Sequence, residues 1–227
     1  MGMRNDSNAP GSKPPVGKTA RKIVSIVAFF VAFMAVKALL GHNAREDVLN
    51  RAAATADQKM QTLQTQAVQE HPDQALGDAM QQTVAKQAQS ELSNKVGDAK
   101  ADTAAGQFLG YYLVNIRARA DYCKTQGVDI SAFVEAFKRH NAVFYATSRT
   151  IHSRHGSPDE LESTLYKHMR PAMERTIRVS MTDYATRNNA SVADLCRGFA
   201  ESPEEAAQEL DLSRMIPAVA QALNEAS

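Results

Sequence analysis

Tryptophan is absent from the 227 residues, and the stretch 42–105 holds no aromatic residue of any kind. Large aromatic side chains dominate core energetics, so that stretch is not expected to build a core by itself. Charge of one sign is lacking too: 26 Lys and Arg stand against 25 Asp and Glu. No global basic excess, and no basic stripe interleaved with aromatics, points to nucleic acid as a partner. No run alternates apolar and polar residues between turn signals, which leaves β-structure without its pattern. C-x-x-C is missing, and with it the usual dithiol redox motif. G-x-S-x-G and H-E-x-x-H are missing as well, so neither a nucleophile elbow nor a zinc-protease helix is indicated. No cofactor is expected.

One apparent motif dissolves on inspection. GSKPPVGKT, from Gly11, resembles a phosphate-binding loop, but five residues separate Gly11 from Gly17 where the loop requires four. Pro14 and Pro15 also remove backbone N–H groups that would cradle phosphate. The myristoylation pattern fails in turn, because Asp6 stands where Ser or Thr is required.

What is present begins with a hydrophobic run, IVSIVAFFVAFMAV, from Ile23 to Val36, which extends through Lys37 to Leu40. Residues 23–40 are about the minimum length for a bilayer-spanning helix, with Lys37 placed to snorkel. Lys18, Arg21 and Lys22, with Arg4 and Lys13, precede it against one acid, whereas Arg45 and Arg51 after it are offset by Glu46, Asp47 and Asp57. That bias holds residues 1–22 in the cytoplasm as a basic tail and sends the rest across. The expectation is a retained single-pass signal-anchor, in a bacterium an inner-membrane protein with a periplasmic C-terminal part. The alternative is a secreted protein, cut after Ala38 at Val36-Lys37-Ala38.

Residues 41–105, rich in Ala and Gln, are expected to form a helical stalk or linker. Leu49, Ala53, Ala56, Met60, Leu63 and Ala67 recur at steps of four and three, the spacing of a short coiled-coil seam through which a homo-oligomer could form. Pro72 in HPDQ ends that helix, and Met80, Val84, Ala88, Leu92 and Val96 at steps of four suit packing on the body. Residues 106–227 are expected to be a small all-α bundle, since eleven of the fourteen aromatics lie between Phe108 and Phe199. Leu109, Leu113, Ile116, Ala120 and Cys123 mark the inward face of its first helix, with Gly127 past the end. Ser131 is the expected cap of a second helix running through Phe144 to Ile151. Ser157-Pro158-Asp159-Glu160 reads as a capping box opening a third, with Pro171 as a kink or break. Ser191 and Ser202 open two short helices, and an amphipathic stretch near Ser213–Asn224 is interrupted at Pro217.

Three groups of candidate functional residues remain. Cys123 and Cys196, an even pair outside the cytoplasm, are expected to form a disulfide. His152 and His155, three apart and followed by Asp159 and Glu160, have spacing that could begin a metal site in an envelope enzyme. Ser157 and Glu160 are, however, already accounted for as a cap. Arg170, Arg175 and Arg178 are the densest cationic group of residues 104–187, where 12 Lys and Arg face 8 Asp and Glu, and would meet an anion or a partner. The function these features favour is an interaction or scaffolding protein of a cell-envelope assembly, holding a protein partner. The metal-dependent enzyme is the alternative.

Overall fold

A computed structural model describes residues 46–227, and among them every regular element is helical. The expected tail, the expected membrane helix 23–40 and the residues Lys18, Arg21, Lys22 and Ala38 lie outside the described residues. Among those described, no helix is long and apolar enough to cross a membrane.

Helices α1 (Glu46–Glu70) and α2 (Leu76–Ser93) form a hairpin that turns at Pro72, where the ladder must stop. Lys59 pairs with Glu91 and Lys86 with Glu70, as antiparallel neighbours require. This hairpin is not an extended stalk. Met60, Leu63, Ala67, Met80, Val84, Ala88 and Leu92 are buried in the same core as Phe108 and Leu165. Asp183 accepts a 2.8 Å hydrogen bond from the Leu76 N–H, satisfying one of the donors that a helix start leaves open. Three positions of the expected oligomer seam, Met60, Leu63 and Ala67, are thus covered within the chain and are not offered to a second copy.

Helix α3 (Gly97–Leu113) crosses the boundary expected at 105/106 and is the central element. Every residue from Thr103 to Asn115 is buried. A helix buried on all sides needs small residues where neighbours come close, and Ala104, Ala105, Gly106 and Gly110 provide them. Part of the Ala-rich stretch that suggests a stalk is therefore a core helix, and the hairpin before it contributes to the same core.

The rest wraps around this rod. A π-helical turn (Val114–Ala118) joins α3 to α4 (Arg119–Thr125). Then follow α5 (Ser131–His140), α6 (Ala142–Ser153), α7 (Pro158–Arg187), α8 (Val192–Glu201), α9 (Pro203–Glu209), α10 (Leu212–Met215) and α11 (Pro217–Glu225). The expected second helix divides at Asn141. Its side-chain N–H donates to the Phe137 carbonyl and its Oδ1 accepts from the Leu212 N–H. Ser157 caps α7 by accepting from the Glu160 N–H, one half of the expected capping box, while Ser191 and Asp194 make both halves of one at α8. Pro171 sits inside α7, which continues past it. Phe133 meets Phe199 edge-on at 4.9 Å and Tyr111 meets Phe137 at 5.4 Å, joining α3, α5 and α8. The Tyr111 hydroxyl donates to the Leu210 carbonyl, closing α9 onto the core.

Candidate functional site

The π turn changes which residues face inward. One extra residue in a helical turn advances everything downstream by about 100° relative to the regular ladder. Ile116 and Ala120, expected on the inner face, are half-exposed, while Val114, Ala118 and Arg119 are buried. Arg119 is 0% exposed, its guanidinium 4.7 Å from the centre of the Phe199 ring and 6.0 Å from that of Phe133. Burial lowers its pKa to about 10, against the opposing pull of Tyr111, so it remains a cation held between aromatic faces. Sequence periodicity carries no signal for this residue, because the signal assumes an uninterrupted ladder.

The displaced face opens a groove of about 630 Å³ between the π turn with α4 on one side and the start of α5 on the other. Ile116, Val128 and Val134 supply its apolar floor, and Asp121, Asp129 and Glu135 carry carboxylates, with Lys124 as the lining cation. Each wall is fixed. The Gly127 N–H donates to the Lys124 carbonyl and the Val128 N–H to that of Cys123, the paired bonds of a Schellman helix end. That end needs a left-handed residue, and Gly127 has φ 74°. Asp129, not Ser131, performs the capping at α5: it accepts from the Ser131 N–H at 2.9 Å and from its hydroxyl at 3.1 Å. Ile130 is buried beneath the loop.

Cys123 and Cys196 form the expected disulfide, with Cα atoms 5.5 Å apart and both residues fully buried. It ties the end of α4 to α8, immediately behind the loop that closes the groove. On the open side, Asp121 accepts a 2.7 Å hydrogen bond from the Tyr166 hydroxyl, whose pKa is raised first by burial and then by that bond. Arg117 lies 5.2 Å from the centre of the Tyr166 ring.

The three arginines separate in role. Arg170 reaches Asp121 at 3.6 Å and Glu174 at 2.6 Å, beside the groove. Arg175 pairs with Asp57 of α1 and fastens the hairpin to α7. Arg178 is exposed on the same helix. The two histidines separate as well. His155 faces Asp102 at 3.2 Å, linking the end of α6 to α3. His152 is buried, and neither ring nitrogen has a hydrogen-bond partner of good geometry. Burial pushes its pKa down to about 4, against the weaker pull of the Ala105 carbonyl and the Asp102 carboxylate. Among the described residues, no group of three or more His, Cys, Asp or Glu side chains is placed to hold a metal ion.

The groove therefore sets three partly exposed aliphatic side chains, Ile116, Val128 and Val134, beside carboxylates and a closed helix end. It offers hydrophobic contact and carboxylate acceptors. Comparison of the chain with protein-family models, curated proteins and solved structures gives no significant match.

Proposed function

We propose that this protein is a membrane-anchored, extracytoplasmic helical subunit that holds a partner in a cell-envelope assembly, with residues 23–40 as the anchor. The observation that carries the reading is the Cys123–Cys196 bond standing directly behind an open, rigid groove. Structural disulfides persist in oxidising compartments, which supports a place outside the cytoplasm. A fixed groove with an apolar floor and polar rim supports binding, because a wall already ordered loses little freedom when a partner settles on it. The charge pattern around residues 23–40 supports the same orientation.

The experiment is membrane fractionation of cells making the full chain, with protease added before and after the outer barrier is opened. The expected outcome is a full-length species in the membrane fraction, with residues 46–227 degraded or clipped only from the extracytoplasmic side. A free, shortened chain starting after Ala38 would replace the anchor with secretion. Protection of the helical part from the outside, with exposure only to cytoplasmic protease, would refute the location.

A further inference from the structure

We infer that the groove between the π turn and α5 receives an amphipathic helical segment of a partner protein that presents aliphatic side chains beside Lys or Arg. The inference rests on the interaction reading above and names the chemistry of its partner. Three observations carry it. Ile116, Val128 and Val134 leave apolar surface open in a groove wide enough for side chains, about 630 Å³. Three carboxylates line the rim beside one ammonium, and among the described residues Asp129 is the one of the three without an ion pair. Asp129 accepts only neutral donors from Ser131, so its charge remains available to an incoming cation. The ion pairs of the other two acids, Glu135 with Lys138 and Asp121 with Arg170, are exposed pairs of the kind that exchange readily.

The third observation is the π turn itself. Such turns cost helix stability and recur at functional sites. Here the insertion carries Ile116 out of the core and into the groove while Arg119 takes the buried position. The disulfide and the Schellman end hold that same wall, and the Asp129–Ser131 bonds hold the start of α5 across from it, so the groove exists before a partner arrives. An aliphatic residue of the partner would sit over Ile116 and Val134. A basic residue one turn along its helix would reach Asp129 or Glu135, since residues three or four apart share a face.

The test uses the full chain in nanodiscs of zwitterionic phosphatidylcholine. The probes are two short amphipathic peptides of leucine with either lysine or glutamate on the polar face, read by fluorescence anisotropy. The lysine peptide is expected to bind at least about tenfold more tightly than the glutamate peptide, with affinity falling as salt rises. The double variant Asp129→Asn/Glu135→Gln keeps the cap, because asparagine also accepts from the helix start, and should weaken lysine-peptide binding by about tenfold. Val134→Lys should abolish it. A control, Glu160→Gln/Glu205→Gln, removes the same charge elsewhere and should leave binding within about twofold. Equal binding of both peptides, an equal loss in the control, or no binding at all would overturn the inference. Fractionation decides the cellular location independently, so a groove that ignores the peptide and a chain on the wrong side of the membrane are separate results.

Discussion

Replacing His152 with leucine should stabilise the fold, and by more at pH 5 than at pH 7. The ring is 3% exposed and both nitrogens lack good partners. A buried polar group left in that state costs about 1–3 kcal/mol, and leucine fills most of the same space without it. Allowing for imperfect shape, the gain at neutral pH should be about 1 kcal/mol. The pH-dependent part follows from the ring's pKa, which burial takes from 6.5 down to about 4. As pH falls, the unfolded chain binds this proton first, so native stability is lost through the window from the upper value to the lower one. Between pH 7 and pH 5 that loss is about 2 kcal/mol, and it reaches about 3 kcal/mol once the pH is below both values. The leucine variant does not have it. Urea unfolding of both proteins, followed by circular dichroism over a pH series in one neutral detergent, measures the difference. Subtracting the two curves cancels the groups they share, including Asp102 and His155 beside the ring. Parallel curves, or a variant that loses more stability than the wild type toward pH 5, would refute the reasoning.

Three further outcomes follow from packing. Cys123→Ala/Cys196→Ala opens a loop spanning a sequence separation of 73 residues, and the chain-entropy model gives a loss of about 4 kcal/mol, checked by the shift in urea midpoint. Leu63→Ala should cost about 2–4 kcal/mol in the unfolding of the whole body, because Leu63 lies in the shared core; an unchanged midpoint would restore the detached stalk. Arg119→Ala should destabilise by about 3 kcal/mol, and Arg119→Met by clearly less, since methionine keeps the stem between Phe133 and Phe199 without a buried charge. Equal losses in the two variants would mean that the charge, and not the stem, is what the site holds.

Local chemistry was legible in the sequence and long-range phase was not. Ser157 and Ser191 announce helix starts because a cap is written within four residues, and both serve as caps, Ser191 with the full box. Gly127 announces a helix end for the same reason. The cysteine pair is legible from its parity within one small domain. Asp129 carries no such signal, since Ser131 stands in the more usual place for a cap; in the fold Ser131 is the first helical residue and the Asp129 carboxylate accepts from its N–H. The groove escaped notice because its floor depends on an inserted residue that no periodicity announces. The second arm of the hairpin packs on the body as its spacing indicates, whereas the first arm reads as a stalk for a different reason. Alanine buries little surface by itself, and only against α2 and α7 does Ala67 on α1 become core. Arg175 was counted as free charge because its partner, Asp57, lies more than a hundred positions away.

The π turn also has a meaning for how this chain can change over time. A regular helix transmits any twist along its length, so a substitution that rotates one end disturbs contacts at the other. Here the rod from Gly97 to Thr125 carries a dislocation at its middle. Its upstream arm is fitted to α6 and α11, and its downstream arm to α5, α7 and the disulfide partner α8. Strain introduced on one arm can be absorbed at the dislocation before it reaches the other. The surface that meets a partner and the interior that keeps the fold can therefore accumulate substitutions on separate schedules, although a single helix bears both.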